Sequence, residues 1–469
     1  MGSFHLITLV MVIKNLNPTN EIGASAWHIS DQEFSLLLDA GLHPKVDGRE
    51  SMPLLDEIEH DHLDAIILSH CHYDHVASLP LVIKKFPQAR VLMSELSTHI
   101  IERVLHNSAN VMKRQRDEMG ILDYPLYDNK YVEEVSSVFE GLEYGDIHKC
   151  NYFDLGNKGA PHPEIKLYDA GHTLGASGIH ITTNGRRIFY TGDCSFQDQL
   201  VLKGAQFSDV EADIVIMETT RGAHDASKTQ NRAREIRKLK EAIIEVSQRR
   251  GTVLIPSFAL GRTQEMLAML AGMISEGQIP NQPIFIGGLG RIFSEIYDGL
   301  ARKTQRHLPE LRLTKDLNLV VQKPDKINTL KFNKPKIFVA TAGMMNENTT
   351  AHDLAIRLCS DPIHGIFFVG YADQSTPGGR LKQSELSKPF YFSSRAPDLE
   401  RECEMRSFDI TGHANREELL EWLIGRKPSH VVLAHGELDS REWFTDKIKH
   451  NNVSIQIHNP GPGEVVNIP

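Results

Sequence analysis

The sequence predicts an α/β protein with two or three domains. With 469 residues and a mass of 52.7 kDa, the chain is too long for a single small domain, since a domain averages about 150 residues. Short apolar runs alternate with polar loops in the first half, and from about residue 222 strands alternate with helices. A hydrophobic content of 41%, a charged content of 24% and a mean hydropathy of −0.29 exclude disordered, collagen-like and fibrous chains.

The first half predicts a series of short strands. Its most apolar stretch, Phe4–Ile13, is too short to span a bilayer and lacks the basic start and cleavage site of a signal peptide. Its β-branched residues favour a first strand, so we expect no membrane association and a cytoplasmic location. Five cysteines without a Cys-x-x-Cys pair fit a reducing compartment. The other predicted strands are residues 34–38, 65–68, 165–168, 187–190 and 213–217.

The second half predicts helices between strands, as in a parallel sheet. Apolar residues recur at helical spacing from Ile236 to Val246, which predicts a helix within residues 228–250. Another helix is expected from about Arg262. The remaining predicted elements are strands at 252–255, 284–286, 337–340, 366–370 and 430–434 and a helix at 415–424.

The net charge limits the kinds of partner. A formal charge of −10 makes the chain a poor non-specific binder of polyanions, because such binding depends on many Lys and Arg contacts. A nucleic acid would therefore need a local positive channel, and bound metal ions could supply much of that charge.

The strongest chemical signal is the run Ser69-His70-Cys71-His72-Tyr73-Asp74-His75 after predicted strand 65–68. Its three imidazoles and one carboxylate suit a divalent metal such as zinc. His70 and His72 can point the same way from an extended segment, whereas Asp74 and His75 can turn towards a second ion. Other polar residues also follow predicted strands, where a rigid element holds a side chain that faces open space. They are Asp39, His172, Asp193, Glu218 and His435.

In their order along the chain, Asp39, the histidine run, His172 and Asp193 resemble the successive motifs of the metallo-β-lactamase fold. The resemblance implies an αββα sandwich with two Zn²⁺ ions per chain. It implies that His70, His72 and His172 hold the first ion and that Asp74 and His75 hold the second. It also implies that Asp193 bridges the ions and that Asp39 orients the ligands.

Three later motifs resemble those of the β-CASP nucleases in that superfamily. They are Met217-Glu218-Thr219-Thr220, Thr411-Gly412-His413-Ala414 and Leu433-Ala434-His435-Gly436. The long stretch between Glu218 and His413 resembles the inserted β-CASP domain, an α/β domain with a parallel sheet. The resemblance implies a metallo-β-lactamase domain in two parts, residues 1–222 and 407–469, around an insert at 223–406. A histidine in the third motif accompanies RNA-processing members, and as an imidazole His435 can complete the second metal site.

The resemblance implies a zinc-dependent ribonuclease that hydrolyses single-stranded RNA with a water activated by two metal ions. The expected catalytic residues are Asp74, which also holds metal, and the pair Glu218 and His413. In this pair His413, oriented and kept protonated by Glu218, protonates the leaving 3′-oxygen. The expected contacts to RNA phosphates are Arg221, Arg262 and Arg380. Arg221 stands where many relatives have tyrosine, and it either binds phosphate or replaces a surface tyrosine.

Other functions stay open. A small-molecule hydrolase, such as a lactonase or thioesterase, would need neither the insert nor the pair of Glu218 and His413. A non-catalytic RNA-binding scaffold would be expected to lose metal ligands that this chain keeps, and His435 disfavours a DNA nuclease. A homodimer is one assembly that we consider. Endo- or exonucleolytic attack, polarity and the RNA target stay open.

Overall fold

The computed structural model describes residues 10–58, 63–149, 162–225, 231–321, 327, 329–451 and 454–469. Most of the predicted strand Phe4–Ile13 and the start of the predicted helix 228–250 lie outside the described residues, as does Cys150. The chain divides into two compact units. The first comprises Met1–Gln197, Gly204–Asp225 and His413–Pro469, and the second Asp198–Lys203 and Ala226–Gly412. The predicted domain boundaries after residues 222 and 406 stay predictions.

Within the described residues, the first unit contains two seven-stranded sheets. The first sheet has the spatial order β22 (Val465–Ile468), β1 (Met11–Asn15), β2 (Trp27–Ser30), β3 (Ser35–Leu38), β4 (Ala65–Ile67), β5 (Arg90–Ser94) and β6 (Phe139–Leu142). The second has the order β21 (Gln456–His458), β20 (His430–Ala434), β11 (Ile214–Glu218), β10 (Arg186–Tyr190), β9 (Ser177–Thr183), β8 (Glu164–Asp169) and β7 (Ile147–Lys149). The strands that follow the insert thus complete both sheets.

The apolar faces of these sheets form a common core. Ile29 and Leu36 of the first sheet and Ile179 and Ile188 of the second are fully buried in one cluster. Helices cover the outer faces, so the first unit is the αββα sandwich that the resemblance implies. The helices are α1 (Tyr73–Val76), α2 (Leu79–Lys85), α3 (Glu95–Met119), α4 (Asn129–Ser136), α10 (Arg416–Arg426) and α11 (Leu438–His450), with 3₁₀ turns at Gly48–Ser51 and Leu55–Glu57.

The second unit is built on a six-stranded sheet whose described strand pairs are all parallel. Its spatial order is β14 (Leu319–Val321), β13 (Ile284–Ile286), β15 (Lys336–Ala340), β12 (Thr252–Pro256), β16 (Gly365–Phe368) and β19 (Glu404–Ser407). A short hairpin joins β17 (Pro389–Phe390) to β18 (Leu399–Glu400). The helices of this unit are α5 (Arg232–Gln248), α6 (Arg262–Ser275), α7 (Gly288–Gly299), α8 (Thr350–Leu358) and α9 (Pro377–Gln383). The prediction of a parallel α/β insert is confirmed.

The longest helix shows how local sequence sets an element's limits. The side chain of Ser94 caps α3 by accepting the Ser97 N–H, and Gly120 ends the helix with a left-handed φ of 73°. Among the described residues, no helix combines the length and the apolar character that a bilayer span requires. The cytoplasmic location stays a prediction.

Candidate metal centre

The candidate centre lies in the first unit, where the strands of both sheets end. His70, His172 and Asp193 each stand three residues after the end of a strand, and His435 directly follows β20. Asp74 and His75 lie in the short helix α1 that follows β4. The structure brings together His70, His72, Asp74, His75, His172, Asp193, Glu218, His413 and His435, with Asp39 behind them. Residues from far-apart parts of the chain thus form one cluster.

The first donor group comprises His70, His72, His172 and Asp193. His70 Nε2 lies 3.1 Å from His72 Nδ1, and His172 Nε2 lies 3.2 Å from the same His72 nitrogen. Nitrogens bound to a tetrahedral zinc ion at about 2.0–2.1 Å are about 3.3 Å apart, so this spacing fits a cation held between the rings.

The second donor group comprises Asp74, His75 and His435. His435 Nε2 lies 3.2 Å from His75 Nε2 and 3.3 Å from Asp74 Oδ2. Asp74 Oδ2 and His75 Nε2 are 4.0 Å apart. The nitrogen and carboxylate donors again suit a divalent cation of the zinc type.

One carboxylate lies against both groups. Asp193 Oδ2 is 3.7 Å from His70 Nε2, and it is also 3.7 Å from His75 Nε2. Asp193 Oδ1 is buried and has no hydrogen-bond partner among the described residues, although His435 Nδ1 lies 3.1 Å away. Burial raises the pKa of Asp193. A bound cation would satisfy this oxygen and offset the cost of burying its charge.

The pKa values of the imidazoles differ between the groups. Burial and the surrounding histidines hold the pKa of His70 well below its ordinary value, so its ring is neutral and can bind a cation. Burial also disfavours charge on His75, but the carboxylates of Asp193, Asp39 and Asp74 outweigh it and raise the pKa of His75 to about 10. A cation that binds the second group would therefore displace a proton.

Asp39 organises the second group from behind. Its Oδ2 accepts a hydrogen bond from His75 Nδ1 at 2.7 Å, and the same oxygen accepts Tyr190 Oη at 2.7 Å. Ser69 donates its N–H to Oδ1 at 2.7 Å and its hydroxyl to Oδ2 at 2.8 Å. Because Nδ1 of His75 donates to Asp39, the lone pair of its Nε2 faces the donor group.

A third group shares the Asp193 carboxylate and contains Glu218 and His413. His413 Nδ1 lies 3.3 Å from Glu218 Oε2, and the other oxygen, Oε1, accepts the Cys194 N–H at 2.6 Å. Burial favours the neutral acid, but His413 and the Cys194 amide outweigh it and lower the pKa of Glu218. The Glu218 side chain is 1% exposed and the His413 side chain 24%, so a substrate could reach the imidazole but not the carboxylate.

The three arginines expected at phosphates differ in position. Arg221 lies in the first unit, three residues after Glu218, and its side chain is half-buried. Arg262 lies in the second unit and is 8% exposed, and its guanidinium donates to Gln199 Oε1 and to the Ile410 carbonyl. These contacts give Arg262 a structural role, and a phosphate contact stays a prediction.

Arg380 also lies in the second unit and is half-buried. Its Nε donates to the Phe392 carbonyl at 3.0 Å, and its guanidinium lies 5.2 Å from the centre of the Tyr391 ring. These contacts give it a structural role, and a phosphate contact stays a prediction.

Two functional neighbours were not found from the sequence. Tyr190 Oη bonds to Asp39, and Thr220 Oγ1 lies 3.0 Å from His435 Nδ1. Tyr190 stands three residues before Asp193, and Thr220 stands two residues after Glu218. This closeness to predicted site residues is the sequence feature that could have indicated them. Cys71 lies within the histidine run but does not belong to a donor group. Burial raises the pKa of its thiol to about 12, and its Sγ donates to the Ser97 carbonyl, so the sulfur stays protonated.

Family models for three successive domains match the chain. The model of the metallo-beta-lactamase superfamily matches residues 20–245, and that of the Beta-Casp domain matches residues 263–381. The model of the Zn-dependent metallo-hydrolase RNA specificity domain matches residues 398–460, which include His413 and His435.

Similar proteins of known name align along nearly all of the chain. An Endoribonuclease YSH1 of Eremothecium gossypii is 26% identical over 90% of this chain and 54% of its own length. Cleavage and polyadenylation specificity factor 73 of Drosophila melanogaster is 27% identical over 96% of this chain and 64% of its own. Transcription termination factor FttA of Methanothermobacter thermautotrophicus is 26% identical over 89% and 65%. The chain thus spans little more than half to just under two thirds of these relatives.

A solved structure has the same fold. The protein of unknown function from Enterococcus faecalis V583 aligns with a TM-score of 0.57 at 14% identity, over 98% of this chain and 100% of its own.

Proposed function

The chain belongs to the metallo-β-lactamase superfamily and carries a β-Casp domain, and from this premise we propose that it is a metal-dependent ribonuclease acting on single-stranded RNA. The observation that carries the proposal is the buried carboxylate of Asp193, which lies against two metal-type donor groups and the Glu218–His413 pair. The match to an RNA specificity domain and the names of the endoribonuclease relatives support RNA as the substrate. A homodimer stays a prediction.

The donor sets favour two divalent cations, and zinc suits their nitrogen and carboxylate ligands. His70, His72 and His172 would hold one cation, and Asp74, His75 and His435 would hold the other. Asp193, which lies against both donor groups, would contribute its carboxylate. Such a pair, when bound, lowers the pKa of a water molecule and stabilises negative charge at phosphorus.

The surrounding residues fix the donors in place. The hydrogen bond from His75 Nδ1 to Asp39 sets the tautomer that points Nε2 at the second site. Thr220 Oγ1, at 3.0 Å from His435 Nδ1, holds the other imidazole of that site in the same way. The ligands are thereby preorganised, so little reorganisation accompanies cation binding.

The Glu218–His413 pair is suited to move a proton. Glu218 is fixed by the Cys194 amide and faces Nδ1 of His413, so the other ring nitrogen, Nε2, lies on the opposite side of the imidazole from Glu218. We propose that Nε2 delivers the proton to the leaving 3′-oxygen of the cleaved bond. The partial exposure of the His413 ring allows this contact.

The test uses one RNA, labelled separately at its 5′ and 3′ ends, with the metal content of the same sample measured by mass spectrometry. We expect cleavage of single-stranded RNA, close to two metal ions per chain and loss of activity with a chelator. His413→Ala should retain the metals and lose cleavage by about 10²–10⁴-fold. His99→Ala, which removes a histidine of α3 that is 45% exposed, is the matched control and should cleave at the normal rate.

The same samples separate the alternatives. Hydrolysis of ester or lactam substrates without RNA cleavage would favour a small-molecule hydrolase. RNA binding without cleavage, together with clearly fewer than two metal ions per chain, would favour a scaffold. Preferential cleavage of single-stranded DNA would overturn RNA as the substrate.

A further inference from the structure

The second unit contains a cleft at the carboxyl ends of β15, β12 and β16, which are neighbours in its parallel sheet. Its lining includes Ser257 and Phe258 after β12, Gly343 after β15, and Gly370 and Tyr371 after β16. Open parallel α/β sheets bind their ligands at this edge. All residues that line the cleft belong to the second unit, whereas every donor residue of the metal centre belongs to the first.

A buried hydroxyl in this cleft, that of Ser257, lacks a hydrogen-bond partner among the described residues. Ser257 is 2% exposed, and its Oγ makes no hydrogen bond within the part of the chain that the structure describes. Such a group is unfavourable by about 1–3 kcal/mol unless something binds it. The nearby backbone is open, since a Cβ added at Gly370 would meet no atom within 4 Å. A hydroxyl both donates and accepts, so another hydroxyl would be a well-matched ligand group.

An aromatic ring stands at the rim of the cleft. Tyr371 is 59% exposed, and its hydroxyl donates to Asp373 Oδ2 at 3.1 Å. Asp373 is itself held by the Ser375 N–H, which donates to Oδ1 at 2.9 Å. The ring is therefore exposed and also fixed in orientation. Exposed rings of this kind are typical of surfaces on which single-stranded bases stack.

The charges at the cleft favour the neutral parts of a nucleotide. Arg262 lines the cleft, but its guanidinium is buried and donates to Gln199 and to the Ile410 carbonyl. The Asp373 carboxylate at the rim repels a phosphate placed beside Tyr371. A base and a ribose carry no charge and avoid this repulsion.

We propose that this cleft is a ribonucleotide subsite, in which one base of single-stranded RNA stacks on Tyr371 and the 2′-hydroxyl of the same nucleotide bonds to Ser257 Oγ. This inference rests on the proposed ribonuclease function and gives it a site of RNA selection in the second unit. The base contact accepts any sequence, whereas the sugar contact distinguishes RNA from DNA.

The test measures binding of fluorescein-labelled oligo(A) RNA, and of the matching DNA, to the full chain in the His413→Ala background by anisotropy. Tyr371→Ala should weaken RNA and DNA binding alike, by at least about fivefold, because stacking does not depend on the sugar. Ser257→Ala should weaken RNA binding by about 2- to 10-fold and leave DNA binding unchanged. Tyr371→Phe keeps the ring and should lose much less.

Leu386→Ala is the control, since Leu386 is an apolar residue that is 58% exposed in the same unit but does not line the cleft. Thermal melting of each variant shows that the fold is retained. Unchanged RNA affinity in Tyr371→Ala would overturn the subsite, and equal losses for RNA and DNA in Ser257→Ala would overturn the sugar contact. In either case cleavage by the wild-type chain would leave the ribonuclease proposal intact, whereas absence of both binding and cleavage in the wild type would overturn that proposal.

Discussion

Removing the hydroxyl of Tyr190 tests whether the partners of Asp39 determine how tightly the second site holds a cation. Asp39 is fully buried, and its Oδ2 accepts both Tyr190 Oη and His75 Nδ1 at 2.7 Å. Burial raises the pKa of Tyr190 well above its ordinary value, so the hydroxyl stays protonated and keeps donating. Tyr190→Phe removes this donor and keeps the ring that packs in the core between the sheets.

The expected magnitude follows from the charge on the acceptor. A hydrogen bond to a carboxylate contributes about 1.5–3 kcal/mol. Loss of a group that supports a metal-binding histidine weakens metal affinity by about 10- to 100-fold, or about 1.4–2.8 kcal/mol. Because Asp39 bonds directly to His75, a donor of the second group, we expect this loss at the second site and a smaller change at the first.

The assay is competition for zinc with a chromophoric chelator, which resolves the two affinities of each variant. Tyr144→Phe is the control, since its hydroxyl donates to the Ala176 carbonyl at 2.9 Å instead of to Asp39. That variant should keep both affinities even if its melting temperature falls. Equal affinities of wild type and Tyr190→Phe at both sites would refute the reasoning.

Three further predictions concern other buried groups. Glu218→Gln should lower the cleavage rate by about 10²–10⁴-fold at unchanged metal content. Adding His413→Ala to that variant should lower the rate little further, and additive losses would contradict a shared role of the two residues. Burial raises the pKa of the partly buried Asp169 from 3.8 to about 6, so the folded chain binds this proton more tightly than the unfolded chain. The free energy of unfolding should therefore fall by at most about 3 kcal/mol as pH rises between these two values. Denaturation of the chelator-treated chain at several pH values measures this fall, and Asp169→Asn should not show it. Glu265→Ala removes the fully buried partner of Arg232 and should destabilise the chain by about 3–5 kcal/mol in urea, whereas a change below about 1 kcal/mol would contradict it.

The sequence could predict the site because its chemistry is local to strand ends. The histidine run supplies four donors within six positions, directly after β4, and short apolar runs also mark the strands before Asp193 and His435. A strand and the polar residue that follows it can both be recognised from a few neighbouring residues. The hydrogen bond from Tyr190 to Asp39 cannot, because it joins residues about 150 positions apart and depends on how the two sheets pack.

Other features could not be read from local patterns. No helix is predicted from the sequence at α3, whose apolar face is diluted by polar residues on the other sides. The closing pair of β1 and β22 joins opposite ends of the chain and has no local signal. The guanidinium of Arg262 donates to Gln199, which lies 63 positions earlier, and no local sequence pattern indicates this internal contact.

Metal removal should weaken RNA binding as well as abolish cleavage. With a formal charge of −10, the chain has little general attraction for a polyanion, and two dications would provide the strongest local positive charge. Without them Asp74 and Asp193 remain at the centre, and the proton held by His75 offsets only part of their charge. The chelated wild type should bind RNA at least about tenfold more weakly, with a salt dependence shallower by about 0.7 for each RNA phosphate that the cations no longer neutralise. The factor by which Tyr371→Ala weakens RNA binding should be the same after chelation, because that residue belongs to the second unit. Unchanged RNA affinity after verified metal removal would place the phosphate-binding charge elsewhere on the chain.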